Sequence, residues 1–155
     1  MADAGSLDLS SAMTLEAWVR PATLGTVWRS VVLKEQPGDL VYALYANSQS
    51  SRAVGIVYAQ GAEQQAAGTA QLPLNVWTHL AATYDGGIVR LFVNGVQVGT
   101  HAASGPLPNS TGVLRIGGNN VWGEWFSGLI DEVRIYNRAL TTAEVQADMN
   151  TAITP

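Results

Sequence analysis

The chain has 155 residues, a net charge of −4 and only eight lysine and arginine residues, a balance that disfavours nucleic acid and anionic membranes as partners. Cysteine is absent, which excludes a disulfide framework and a cysteine-based zinc site. The 47% hydrophobic and 13% charged content is typical of a folded domain, so we predict one domain over residues 1–155, with no apolar run long enough for membrane insertion.

The predicted elements are almost all strands. Short segments in which apolar and polar residues alternate are separated by Gly, Pro, Asn and Asp, a pattern that indicates half-buried strands joined by turns. In chain order they cover residues 13–20, 27–34, 40–46, 52–59, 63–72, 77–84, 88–93, 96–100, 113–116 and 126–136. Asn94-Gly95 favours a two-residue type I′ turn, because both of its central positions need positive φ.

The last element carries the signals of a helix. Thr141 and Glu144 have the spacing of a capping box, in which each side chain accepts a hydrogen bond from the backbone N–H of the other residue. This predicts a short helix over residues 142–149. We therefore predict an all-β fold, a two-sheet antiparallel sandwich of jelly-roll type with a short C-terminal helix.

The strand at 126–136 combines an apolar face with a carboxylate. Strict alternation places Leu129, Asp131 and Val133 on one face, which we predict to be the core face. A buried carboxylate must be hydrogen-bonded, paired with a cation or bound to a metal, because burying it alone is too costly. Asp131 is therefore a candidate ion ligand.

Five motifs follow one another along the chain: LEAWVRP (15–21), WTHLAATYDG (77–86), LFVNG (91–95), FSGLIDEVRIY (126–136) and RALTTAEV (138–145). This series resembles the laminin-G-like jelly rolls of the concanavalin A-like lectin/glucanase superfamily, and the resemblance covers residues 5–149. It implies the fold more firmly than the function, since one fold hosts many functions.

Members of that family usually carry one or two further strands upstream of the point where this chain begins. The resemblance thus implies that the N-terminal strand or strands are missing, and that one sheet has an open N-terminal edge. An unpaired edge exposes backbone N–H and C=O groups. We expect self-association into a homo-oligomer, or completion of the sheet by a strand from another chain.

The resemblance also implies a structural Ca²⁺ near the last strand, with Asp131 as a ligand. Calcium takes six to eight oxygen ligands, so further groups are needed, and Asp3 and Asp8 are candidates if the N-terminal segment lies beside that strand. The alternative is that Asp131 accepts backbone N–H groups or pairs with an arginine.

Three of the five tryptophans lie in or near predicted loops: Trp28, Trp122 and Trp125. An aromatic face can stack on the apolar side of a sugar ring while nearby polar groups bind its hydroxyls. The polar neighbours in this sequence are Asn119, Asn120 and Glu124. The alternative is that Trp122 and Trp125 cover the end of the sandwich. We predict that Trp18 and Trp77, which lie within strand motifs, belong to the core.

The sequence contains no sign of catalysis. The even-spaced acidic strand motif of the glucanases is absent, and Asp131 and Glu132 are adjacent, so the pleat sends them to opposite faces. No serine nucleophile elbow or phosphate-binding glycine loop is present.

These observations predict a non-catalytic, lectin-like binding module, with carbohydrate as the preferred ligand, from a larger extracellular or cell-surface protein. A structural or adhesive module that binds other proteins is the alternative, and a glycoside hydrolase comes third.

Overall fold

The computed structural model describes residues 1–153, which form ten strands, one α-helix and a short 3₁₀ turn at Gly5–Leu7. The strands are β1 (Met13–Pro21), β2 (Arg29–Gln36), β3 (Asp39–Asn47), β4 (Val54–Ala59), β5 (Ala62–Ala67), β6 (Thr78–Tyr84), β7 (Ile88–Val93), β8 (Val96–Ala102), β9 (Leu114–Ile116) and β10 (Gly128–Tyr136). The helix, α1, covers Thr142–Met149. No helix in this part of the chain is long and apolar enough to cross a membrane.

The strands form two five-stranded antiparallel sheets. The first sheet has the order β10-β1-β6-β7-β8, and the second has the order β5-β4-β3-β2-β9. The apolar inner faces of the two sheets bury a shared core, to which β1 contributes Met13, Leu15, Ala17 and Val19 at alternate positions. The predicted all-β jelly-roll sandwich is confirmed.

The predicted turns account for much of the strand order. Asn94 and Gly95 have φ values of 50° and 72°, as a type I′ hairpin requires. A second turn of this kind was missed: Gln60 and Gly61 have φ values of 56° and 77° and join β4 to β5. Because of this turn, the strand predicted over residues 63–72 starts earlier, at Ala62. It ends at Ala67.

A β-bulge in β10 reverses which side chains face the core. Glu16 pairs with Arg134 and Trp18 with Asp131, so the one residue of β1 between these pairs opposes two residues of β10. Glu132, one of those two, has a positive φ of 52°. Before the bulge Ile130 packs on the core, and after it Val133 does. The prediction that Leu129 and Asp131 share the core face is wrong, because strict alternation does not survive an inserted residue. Both are exposed, Leu129 by 53%.

The N-terminal edge that was predicted to be open does not lie at the first strand of the chain. The first strand, β1, lies inside its sheet with β10 on one side and β6 on the other. The segment before it returns to the second sheet, where Met1 and Leu114 exchange backbone hydrogen bonds, and it buries Leu7 and Leu9 in the core. Met1 thus lies beside β9, the last strand of the second sheet, and self-association stays a prediction.

An ion pair made by a buried lysine holds the same N-terminal segment. Lys34 is fully buried, and its Nζ donates to the carboxylate of Asp3 and to the carbonyl oxygen of Gly112. A buried ammonium group without such partners would be strongly destabilising. The single lysine of the chain therefore ties residues 1–10 to β2 and to the loop before β9.

The helix begins with the predicted capping box: the Thr141 hydroxyl accepts from the Glu144 N–H, and the Glu144 carboxylate accepts from the Thr141 N–H. Its apolar side packs on the outer face of the first sheet, where Leu140 and Val145 join Ala81 and Phe92 in a small buried cluster.

A carboxyl group lies beneath this helix. Glu16 is fully buried on the outer face of the first sheet, and neither of its oxygens has a hydrogen-bond partner in the described part of the chain. Burial, with a smaller contribution from the charge of Asp148 on α1 and an opposing one from Arg134, raises the pKa of Glu16 from 4.5 to about 8. The side chain is therefore protonated in the folded protein at neutral pH.

This protonation makes stability depend on pH. Between about pH 4.5 and 8 the folded protein holds a proton that the unfolded chain releases, so this contribution to stability is complete below pH 4.5 and is lost as the pH rises through 8. We expect Glu16→Gln, which cannot ionise, to melt at least about 3 °C above the wild type at pH 9 and within about 1 °C of it at pH 5. Thermal denaturation followed by circular dichroism tests this, and equal Tm differences at the two pH values would contradict it.

Candidate functional site

A groove crosses the outer face of the second sheet. It consists of two adjoining cavities of about 300 and 350 Å³ that share Trp28, Gln49 and Glu124 as lining residues. The first cavity extends to Trp122 and the second to Trp125. Both volumes lie at the lower end of the range for small-molecule sites.

The floor of the groove comes from strand alternation in the second sheet. On β3, Leu44 belongs to the core between the sheets, whereas its neighbour Tyr45 belongs to a separate buried cluster on the outer face. Ile56 of β4 joins that cluster and also lines the first cavity. Trp28 packs edge-on against Tyr45, with ring centroids 4.9 Å apart and an interplanar angle of 65°. The floor is therefore apolar and firmly packed.

The loop between β9 and β10 forms one wall, and Asn119 organises it. Asn119 is fully buried; its Nδ2 donates to Glu124 Oε2 over 2.8 Å, and its Oδ1 accepts from the Trp122 N–H over 2.9 Å. The backbone N–H of Asn119 also donates to the Glu124 carbonyl oxygen. One amide side chain thus sets the positions of the two wall residues Trp122 and Glu124.

The groove is acidic. The Tyr45 hydroxyl donates to Glu124 Oε2 over 2.8 Å. Both side-chain hydrogen bonds of Glu124 therefore end on Oε2, and Oε1 accepts none within residues 1–153. Glu63 also lines the first cavity. Burial raises the pKa of Glu63, and the charges of Asp39 and Glu124 add to that rise.

Two neighbours position Trp125 at the other end of the groove. Its ring lies directly against Gly118, where any Cβ atom would overlap it, and its carbonyl oxygen accepts from Arg29 Nη1 over 3.0 Å. The Trp125 ring is nevertheless 54% exposed, and Trp122 is 45% exposed. Both side chains are therefore available for stacking. If they only covered the end of the sandwich, as in the alternative, they would be largely buried.

Four of the six predicted ligand-binding residues therefore line one groove: Trp28, Trp122, Glu124 and Trp125. Asn119 lies behind the wall instead of in it, and Asn120 is not a lining residue, its N–H donating to Glu35 Oε1. The prediction missed these lining residues: Thr26, Val27, Arg29, Tyr45, Gln49, Ile56, Glu63 and Gly123. Tyr45 could have been found, because alternation on β3 places it away from the core face.

The prediction that Trp18 and Trp77 belong to the core is wrong. Trp77 precedes β6 and is 41% exposed, and Trp18 is half-buried on the outer face of the first sheet. His79 is fully buried beside Trp18, with ring centroids 5.4 Å apart.

The candidate calcium ligands do not form a set. Asp3 pairs with Lys34, Asp8 accepts from the Ser110 N–H over 3.4 Å, and Asp131 accepts from the Glu132 N–H over 2.9 Å. Residues 1–153 contain no group of three or more His, Cys, Asp or Glu side chains that could hold a metal ion. These three aspartates do not fit the ligand number that calcium requires, and calcium binding stays an untested prediction.

The sequence and the fold match a known class of protein. The chain belongs to the concanavalin A-like lectin/glucanases superfamily, whose laminin G profile matches residues 1–146. The chain is also 39% identical to mouse pappalysin-1 and 36% identical to human pappalysin-1, in each case over 80 residues that make up 48% of this chain. The matched segment is only 5% of the length of these curated relatives.

Several solved structures also match the fold of this chain. Domain 4 of AbnA, a GH43 extracellular arabinanase from Geobacillus stearothermophilus solved with arabinotriose, is 25% identical with a TM-score of 0.65, and the match covers 93% of this chain and 69% of that one. A putative carbohydrate-binding protein from Bacteroides ovatus is 22% identical with a TM-score of 0.74, over 94% of this chain and 42% of that one. Mouse laminin α1 domains LG4-5 are 13% identical with a TM-score of 0.65, and the match covers 88% of this chain and 40% of that one. The last two share the fold.

The role of Asn119 can be separated from that of its neighbour. Asn119→Ala removes two partly buried hydrogen bonds. It leaves the Trp122 N–H without its acceptor and Glu124 Oε2 with Tyr45 as its one side-chain donor, so we expect a loss of about 1–3 kcal/mol in the free energy of unfolding. Asn120→Ala is the matched control, because Asn120 contributes only its backbone N–H, and we expect it to stay within about 0.5 kcal/mol of the wild type. Urea denaturation measures both, and equal stabilities would show that Asn119 does not hold the wall.

Proposed function

We propose that this chain is a non-catalytic carbohydrate-binding module that holds an oligosaccharide in the groove on the second sheet. The observation that carries the proposal is that Trp28, Trp122 and Trp125 lie along one groove with hydrogen-bonding groups between them. Aromatic faces match the apolar faces of sugar rings, and a few fixed polar groups supply orientation.

The polar groups between the tryptophans suit sugar hydroxyls. Glu124 presents Oε1 as an acceptor, and Gln49 offers both a donor and an acceptor to the two cavities that it lines. Because the cavities adjoin at Trp28, a ligand that fills both must be longer than one sugar unit. A linear oligosaccharide meets this requirement.

Charge narrows the ligand to neutral glycans. Glu63 and Glu124 line the first cavity, and carboxylates there repel uronic acids and sulfated sugars. Arg29, the cation at the second cavity, already donates to the carbonyl oxygens of Leu24 and Trp125. We therefore expect neutral oligosaccharides to bind and acidic ones to be rejected.

The comparisons support the same class of function. The AbnA domain, which matches most of this chain, was solved with a neutral arabinose oligosaccharide, and that enzyme is extracellular. We propose that this chain likewise acts outside the cell, as one binding module of a larger protein.

Glycoside hydrolysis is the second candidate, and one observation favours it. Glu63 and Glu124 line the same cavity, and the pKa of Glu63 is raised, as for a general acid in a two-carboxylate mechanism. We prefer binding because Glu124 Oε2 already accepts two hydrogen bonds. Release of reducing sugar from a bound oligosaccharide, abolished in Glu63→Gln, would establish hydrolysis instead.

A glycan array with neutral, uronic acid and sulfated oligosaccharides tests the proposal, followed by calorimetry on the best ligand. We expect Trp122→Ala and Trp125→Ala each to weaken binding by about tenfold or more, because each removes a stacking surface. Trp77→Ala is the matched control, an exposed tryptophan outside the groove, and should leave binding unchanged. Binding that survives both groove substitutions, or that favours acidic glycans, would contradict the proposed site.

A further inference from the structure

A second aromatic cavity lies on the opposite side of the sandwich. It has a volume of about 310 Å³, and its lining residues are Trp18, Trp77, Asp131 and Glu132. An adjoining cavity of about 220 Å³ shares Trp18 and Glu132 and continues along residues 149–152. Neither belongs to the proposed glycan groove, which is on the second sheet.

Strand register and the β10 bulge bring these side chains together. Trp18 pairs across the sheet with Asp131 on β10 and with His79 on β6. The bulge at Glu132 turns Asp131 out of the core and beside the Trp18 ring. Trp77 directly precedes β6 and closes the cavity from that side.

The cavity carries one uncompensated negative charge. Glu132 pairs with Arg134 over 3.2 Å, whereas Asp131 forms no ion pair within residues 1–153 and its one side-chain hydrogen bond uses Oδ1. Arg134 also donates to the carbonyl oxygens of Asp148 and Thr151. Burial, with a smaller contribution from Arg134, lowers the pKa of His79 behind Trp18 to about 4, so that ring adds no positive charge at neutral pH.

The lining differs chemically from that of the glycan groove. That groove has amide, hydroxyl and guanidinium groups, whereas the described residues around this cavity provide two carboxylates and two indoles. A sugar needs donors as well as acceptors around its hydroxyls. An organic cation needs only aromatic faces and a carboxylate.

We propose that Trp18, Trp77 and Asp131 form a binding site for an alkylammonium cation, in which the cation lies against the indole faces and Asp131 balances its charge. The adjoining cavity along residues 149–152 accommodates carbon attached to the ammonium group. Such a group occurs in small free cations and on methylated lysine side chains, and both present the same chemistry to this site.

The test uses the intact chain labelled with ¹⁵N-tryptophan, whose five indole N–H groups report on both sides of the sandwich. We expect tetramethylammonium chloride, titrated at constant ionic strength against sodium chloride, to shift the signals of Trp18 and Trp77 saturably. The neutral analogue tert-butanol, of similar size, should bind at least about threefold more weakly, because the cation–π and ion-pair attractions are absent.

Variants locate the site. Trp77→Leu and Asp131→Asn should each weaken tetramethylammonium binding by about 2- to 30-fold, and both positions are exposed, so the dispersed spectrum should be retained. Trp122→Leu, an exposed tryptophan of the other groove, is the matched control and should have no effect. Equal binding of tert-butanol, an Asp131→Asn variant with wild-type affinity, or no saturable shift at Trp18 and Trp77 would each overturn the proposal.

A short peptide with a central trimethyl-lysine distinguishes the two sources of the cation. Tighter binding than that of tetramethylammonium identifies a polypeptide ligand, and equal binding identifies a free small cation; both outcomes support the site.

Discussion

The β-bulge at Glu132 is the constraint on which both sides of the first sheet depend. A regular strand would present one set of alternate residues to the core over its whole length, yet Ile130 and Val133 both pack there. One inserted residue satisfies both contacts, and the positive φ of Glu132 is the local strain that accompanies it. The same insertion turns Asp131 to solvent and directs Arg134 toward the end of α1, where it donates to Asp148 and Thr151.

The two outer faces of the sandwich are chemically different because different elements cover them. On the second sheet, the loop between β9 and β10 places Trp122, Glu124 and Trp125 over an apolar floor and leaves hydrogen-bonding groups facing the groove. On the first sheet, α1 covers the middle of the face, and what remains open beside β10 is aromatic and acidic. One fold therefore carries two surfaces of different chemical character.

Buried polar groups set the shape of the segments that flank these surfaces. Asn119 joins Trp122 to Glu124, and Lys34 joins Asp3 to Gly112, so in both cases one buried side chain holds a loop or terminal segment through several hydrogen bonds. Glu16 differs, since it is buried without a hydrogen-bond partner in the described residues. Protonation avoids the large cost of a buried charge at this position.

The sequence by itself determined the fold class, most strand positions, the Asn94-Gly95 turn and the capping box of Thr141, because period-2 alternation, turn chemistry and capping act over a few neighbouring residues. Loop positions also led to the prediction of Trp28, Trp122, Glu124 and Trp125 as ligand-binding residues, and the structure shows that these four line one groove. Only the tertiary structure decided that Asp131 is exposed, that β1 lies inside its sheet, that Asn119 is a buried support and that Glu63 lines the groove. These features depend on which distant segments of the chain pair and pack in the sandwich. The local pattern of apolar and polar residues does not specify that pairing.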